Sequence, residues 1–184
     1  MIEVEMHFQP SENRLRKLLL GAEFIREIEN HDVYYDFPDY RLAKVGIKLR
    51  KRNGSFELKI EKSKDIEEEI ENEDEIKKYF QTDLAIEKFT ENNMVILTDF
   101  KTKRTKYKKC GFTIDVDECD FGYNVCEIEL MVKEENKAQE GKEKIIKFAQ
   151  DNGLEFKKIM GKRKTYLIKN NLELFKKIWG DHKL

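Results

Sequence analysis

Residues 112–132 read FTIDVDECDFGYNVCEIELMV. Two runs in it alternate strictly. Phe112, Ile114 and Val116 are set against Thr113, Asp115 and Asp117, and then Cys126, Ile128 and Leu130 against Glu127 and Glu129. Between them Asp120-Phe121-Gly122-Tyr123-Asn124 is rich in turn residues, so the two runs read as a hairpin. Successive side chains of a strand point to opposite faces. One face of the hairpin is therefore apolar, and the other projects Asp115, Asp117, Glu127 and Glu129. Four carboxylates on one surface of two neighbouring strands repel each other unless a positive species stands among them. A hard divalent cation with oxygen ligands meets that need. A solvated outer face meets it equally well, and the hairpin alone does not choose.

The start of the chain has the same grammar. In Ile2-Glu3-Val4-Glu5-Met6-His7-Phe8, the residues Ile2, Val4, Met6 and Phe8 share one face while Glu3, Glu5 and His7 share the other. A second acidic strand of the same pattern, remote in sequence, points to a shared interior. Glu-Val-Glu at 3–5 together with Asp-Val-Asp-x-x-Asp-Phe-Gly-Tyr-x-Val-x-Glu-Ile-Glu at 115–129 resembles the CYTH superfamily, the triphosphate tunnel metalloenzymes. Within it the second motif is most similar to the animal thiamine triphosphatase branch. The resemblance runs from about Ile2 to about Tyr166, with the motif from Asp115 to Glu129 its most specific part.

A second hairpin carries positive charge. From Val45 to Arg52, Ile47 and Leu49 alternate with Lys48, Arg50 and Arg52; Asn53-Gly54 is a strong two-residue turn signal. Phe56, Leu58 and Ile60 then alternate with Glu57, Lys59 and Glu61. Arg50, Arg52 and Lys59 thus share the non-core face. Guanidinium forks match phosphate oxygens and lysine supplies a compact charge. Farther on, Thr102, Arg104, Lys106 and Lys108 fall on one parity, in a strand that leads into the acidic hairpin.

Elsewhere the pattern is helical or loose. Ser11 can cap a helix containing Leu15, Leu18 and Leu19 that ends at Gly21. Asp32 to Asp36 reads as a strand closed by Phe37-Pro38-Asp39, its tyrosines assigned to packing. The acidic block from Asp65 to Glu75 is read as a solvated surface loop running into one or two short helices. Ala138, Ile145, Phe148 and Ala149 line one face of a later helix ended by Asn152-Gly153, and Asn171 to Trp179 forms a last amphipathic helix.

Composition narrows the choice of class. The 184 residues suit one domain, expected to span 1–184. Charged residues make up 40%, yet the net charge is -1, which excludes a nucleic-acid-binding balance. No apolar run reaches membrane-spanning length, and no signal-peptide pattern is present. With Cys110, Cys119 and Cys126 in no metal-site spacing, reduced thiols and a cytoplasmic location are expected.

Many strands with one apolar and one charged face fit a closed barrel whose bore is charged and whose outside is covered by helices. The resemblance implies that object: an α+β fold built on a closed eight-stranded antiparallel β-barrel. It further implies that Glu3, Glu5, Asp115, Asp117, Glu127 and Glu129 hold magnesium or manganese. His7, Arg50, Arg52, Lys59, Arg104 and Lys162 would bind substrate phosphates, with Lys164 an alternative to Lys162. Glu127, Glu129, Lys59 and Arg104 would carry catalysis. The implied activity is metal-assisted hydrolysis of the terminal phosphoanhydride of thiamine triphosphate or inorganic tripolyphosphate. Nucleotide cyclisation, as in the class IV adenylyl cyclases, and non-catalytic polyphosphate or nucleotide binding are the alternatives. The expected partner is a small-molecule triphosphate, without nucleic acid or membrane, and the chain is expected to be a monomer.

Two positions depart from the family pattern. His7 stands where the family has a lysine, and an ordinary histidine is only partly protonated at neutral pH, so a weaker charge is expected there. Lys48 stands where mammalian thiamine triphosphatases have a tryptophan, and its charge opposes a thiazolium.

Overall fold

The structure is a computed structural model that describes residues 2–63, 66–155 and 159–180. The alternating segments form eight strands: β1 (Ile2–Phe8), β2 (Glu23–Asp36), β3 (Ile47–Arg52), β4 (Ser55–Ser63), β5 (Ile66–Ile70), β6 (Val95–Lys109), β7 (Phe112–Cys119) and β8 (Tyr123–Val132). They close into a barrel in the order β1-β5-β4-β3-β2-β6-β7-β8. Seven helices accompany the strands among the described residues: α1 (Glu12–Leu19), α2 (Arg41–Lys44), α3 (Glu73–Phe80), α4 (Ile86–Asn93), α5 (Ala138–Asp151), α6 (Lys162–Asn170) and α7 (Leu172–Trp179). None of them is long and apolar enough to cross a membrane.

The chain forms two compact units. The first comprises Met1–Glu29, Ser63–Glu67 and Thr102–Lys162, and the second Asn30–Lys62, Glu68–Lys101 and Arg163–Leu184. In the first unit the apolar parity of β1, β7 and β8, with Val4, Met6, Phe8, Ile114, Cys126 and Ile128, packs under Leu18 of α1 and Ala138, Ile145, Phe148 and Ala149 of α5. Helix α5 lies close because Gly141 faces the strands. A Cβ there would stand 3.1 Å from Val132 Cγ1 and 3.3 Å from Val4 Cγ2. In the second unit Leu49 and Leu58 pack with Leu42, Ile76 and Ile86 of α2, α3 and α4. Each set puts the apolar parity of its strands against helices and leaves the charged parity on the other face.

Local chemistry accounts for the connections. Asn53 and Gly54 both take positive φ, 48° and 94°, as a two-residue turn between twisted strands requires. Cys110 (φ 52°) and Gly111 (φ 84°) form a turn of the same kind, so β6 and β7 are a hairpin of their own rather than one continuous run. Between β7 and β8 the register Cys119↔Tyr123 leaves a three-residue loop whose Gly122 has φ 72°.

Two expectations fail. Strand β2 begins at Glu23 and not near Asp32; its first half is exposed on both faces, so it lacks the apolar alternation that would reveal it. The acidic block is largely exposed and runs into α3 and α4, as expected, but it is not a loop; Asp65 lies outside the described residues. Ile66–Ile70 is barrel strand β5, and Glu73, Asp74 and Glu75 occupy the first turn of α3, where the helix dipole favours negative charge. Asn72 caps that helix by accepting from the amides of Asp74 and Glu75.

Candidate functional site

Strand register assembles the acidic centre of the first unit. His7 on β1 stands opposite Glu127 on β8, Glu127 opposite Asp115 on β7, and Asp115 opposite Lys106 on β6. One residue pair farther along the same parity, Glu5 faces Glu129, and in the other direction Arg104 faces Asp117. Lys162, the first residue of α6, reaches Asp117 and lies 2.8 Å from Glu127 Oε1. This choice of Lys162 has a local cause. Lys164, two residues on in the same helix, lies instead over the Trp179 ring, 5.2 Å from its centroid.

Arg104 is the hub. Its Nε and one terminal nitrogen donate to Asp117 at 2.8 and 2.7 Å, the same nitrogen donates to Glu127, and the other lies 2.5 Å from Asp115. Lys106 donates to Asp115 Oδ2 at 2.8 Å and approaches Glu129 at 3.5 Å. Burial alone would neutralise Glu127, but Lys162, Arg104 and His7 hold its carboxyl well below the usual range. At Glu129 the balance reverses. Burial, with the charges of Asp115, Glu3 and Glu5, pushes its carboxyl up to about 8 against the pull of Lys106.

Among the described residues, six acids, Glu3, Glu5, Asp115, Asp117, Glu127 and Glu129, gather here with four cations, His7, Arg104, Lys106 and Lys162. Asp117 gives both oxygens to Arg104 and Lys162. Asp115 is fully buried, and its Oδ1 has no hydrogen-bond partner among the described residues. A buried carboxylate oxygen left bare is costly unless a cation completes it. That oxygen belongs to a residue of the set Asp115–Glu127–Glu129; this set and Glu3–Glu5–Glu129 each place their oxygens within 4.8 Å of one another. Oxygen donors alone suit a hard divalent cation. Glu5–His7–Glu127 brings its donor atoms equally close, with an imidazole nitrogen in place of the third oxygen.

The surroundings of His7 favour its protonated form more than the residue type alone implies. Burial would lower its pKa, but Glu5 at 2.8 Å and Glu127 at 3.4 Å raise it to about 10. The tertiary setting supplies the cation that the residue type does not guarantee. Accordingly the His7 imidazole should stay largely protonated between about pH 6 and 9 in the metal-free protein, and an NMR titration of its ring protons in EDTA checks this.

In the second unit the basic parity of β3 and β4 comes together as read from the sequence, with partners the sequence did not reveal. Arg52 forms a two-pronged pair with Asp32 of β2 at 2.6 and 2.8 Å. Arg50 binds Glu57 through Nε at 3.0 Å and through a terminal nitrogen, and Tyr34 Oη accepts a further bond from it at 3.4 Å. Lys59 lies 3.3 Å from Glu69 of β5. Lys48 stands opposite Lys59 in the register. Lys106, Asp32, Glu57 and Glu69 are the charged residues that sequence reasoning left out. Parity alone would have flagged Lys106 and Glu57.

Over residues 1–161 the sequence matches the CYTH domain family. The chain belongs to that family. Its fold is shared with several solved structures. The PH1819 protein of Pyrococcus horikoshii OT3 superposes with a TM-score of 0.67 at 25% identity, covering 94% of this chain and 99% of that one. A conserved hypothetical protein of Pyrococcus furiosus gives 0.61 at 27% identity, over 83% and 91%. HpAC1 of Hippeastrum, a candidate adenylyl cyclase described as having a dominant triphosphatase activity, gives 0.56 at 19% identity, over 86% and 91%. No curated protein matches the chain. For this CYTH domain the acidic centre of the first unit is the part best suited to a divalent cation.

Proposed function

We propose that the protein is a divalent-metal-dependent triphosphate hydrolase that cleaves the terminal phosphoanhydride. The observation that carries this reading is the set Asp115–Glu127–Glu129 with its bare buried oxygen, standing among Arg104, Lys106 and Lys162. A bound magnesium or manganese ion would supply charge neutralisation at the terminal phosphoryl group. Phosphoryl transfer otherwise needs mainly positioning and compensation of charge. Arg104, Lys162 and His7 hold the terminal phosphoryl oxygens. Glu127, kept ionised by its cations, accepts a hydrogen bond from the attacking water and orients it opposite the leaving oxygen. Water adds to phosphorus, the bond to the bridging oxygen breaks, and orthophosphate, carrying the water's oxygen and both of its protons, leaves with the shortened chain. Arg50, Arg52 and Lys59 are phosphate ligands in this reading by resemblance to the family, and their shared parity supports that role.

For the substrate, inorganic tripolyphosphate is favoured over thiamine triphosphate. The half-buried Lys48, with Lys59 opposite, puts two ammonium groups on one face of the second unit, which suits anionic oxygens and opposes a thiazolium. The test is phosphate release from inorganic tripolyphosphate, thiamine triphosphate and ATP, with magnesium or manganese and with EDTA. Metal-dependent release from tripolyphosphate, ahead of the other two, is expected. Cyclic nucleotide and pyrophosphate from ATP would replace this reading by nucleotide cyclisation. Binding of all three without turnover would leave a polyphosphate-binding module.

A further inference from the structure

On the basic face of the second unit three cations each meet a carboxylate: Arg50 meets Glu57, Arg52 meets Asp32 and Lys59 meets Glu69. These carboxylates are not equivalent. Asp32 is fully buried and accepts from two nitrogens of Arg52, so it is a fixed part of the wall. Glu57 directs a single oxygen at Arg50, and Glu69 stands between two cations at looser distances, 3.6 Å from Arg50 and 3.3 Å from Lys59. The Glu69 side chain is 30% exposed and that of Glu57 13%. Glu69 in particular is open to water, and what the two hold are the nitrogens that a phosphate chain would take.

Resting on the triphosphate reading, we propose that Glu57 and Glu69 are built-in competitors that occupy Arg50 and Lys59 until a polyphosphate displaces them. Binding is then an exchange of anions on fixed cations. An incoming ligand gains only the difference between its own pairing and that of the carboxylate it removes. A triphosphate chain offers oxygens to several cations at once, so one binding event offsets both displacements, whereas a lone orthophosphate replaces one carboxylate at a time. Arg50 holds the Glu57 carboxyl below its ordinary value in spite of burial, so the competitor is charged at neutral pH.

The proposal predicts a sign that a merely structural ion pair would not give. Removing a partner that only positions Arg50 or Lys59 weakens ligand binding; removing a competitor tightens it. Inorganic tripolyphosphate is titrated calorimetrically into the full chain with EDTA present, and KM and kcat are measured with magnesium. The proteins are wild type, Glu57→Gln, Glu69→Gln and Glu68→Gln. Glu68 lies on the same strand and pairs outward with Lys62, so its change removes the same charge without freeing Arg50 or Lys59. Glu57→Gln and Glu69→Gln should each tighten tripolyphosphate binding and lower KM about fivefold, the scale of a partly exposed ion pair, with kcat unchanged and Glu68→Gln like wild type. Glu69, the more exposed, keeps the test open if Glu57→Gln folds poorly. Unchanged or weaker binding in both variants, with wild-type turnover intact, would overturn the competitor role and leave the hydrolase reading standing. Tighter binding in the variants without turnover in any protein would retain the competitors and overturn hydrolysis. No binding by any of the four would overturn both.

Discussion

Glu127→Gln should lower kcat for tripolyphosphate on the order of a hundredfold or more at saturating magnesium, with the barrel still folded. Glu127 is almost fully buried and is shared by Arg104, Lys162 and His7, while also belonging to the set of oxygens suited to metal. Glutamine keeps the shape but loses the charge, and its amide nitrogen must face either a cation or the metal position. Metal affinity and water orientation fall together, so the loss appears in kcat as well as in the magnesium requirement. The steady-state rate over a magnesium titration reads both. A variant within tenfold of wild type would remove Glu127 from the mechanism.

Arg104→Met should lower unfolding free energy by about 3–5 kcal/mol, the scale of removing one partner from a buried ion pair. The guanidinium is nearly buried and stands among Asp115, Asp117 and Glu127. Methionine fills similar volume but leaves three buried carboxylates to Lys106, Lys162 and His7. Against a typical total of about 5–15 kcal/mol, such a loss is severe. Acid should narrow the gap between variant and wild type. In wild type Glu127 has a depressed pKa, so its stabilisation is full above the ordinary glutamate value of 4.5 and is lost as pH falls through the folded value. The variant lacks the share of that contribution that Arg104 supplies, while Lys162 and His7 keep theirs. Denaturant unfolding of both proteins, each in EDTA, at neutral pH and near pH 4 measures the difference. Equal stability at neutral pH would show that the carboxylates find other partners.

What the sequence revealed follows from geometry of period two. Where one face of a strand is core and the other is site, as in Phe112–Val132 and Ile2–Phe8, both roles are written in the alternation, and a closed barrel follows from the charged faces. Arg50, Arg52 and Lys59 were legible for the same reason. The first half of β2 was not, because with both faces exposed it carries no contrast. Strand β5 was hidden inside an acidic block whose composition matches that of a solvated loop, yet Glu69 is paired with Lys59. Partner choice is non-local, so Asp32 with Arg52 and Glu69 with Lys59 could not be read from spacing. The charge of His7 is likewise tertiary, set by Glu5 and Glu127 rather than by the imidazole itself.

Strands β7 and β8 leave few residues uncommitted: Ile114, Cys126 and Ile128 belong to the core, and Asp115, Asp117, Glu127 and Glu129 to the charged face. This makes the hairpin unequally tolerant of the two kinds of genetic change. An exchange in place alters one contact. Insertion or loss of a single codon ahead of Glu127 turns every following side chain over, sending carboxylates under α5 and aliphatic groups into the charged centre, unless a bulge absorbs the extra residue. A change of length in this segment is therefore expected to disturb core and charged centre together, whereas most exchanges in place disturb only one of them.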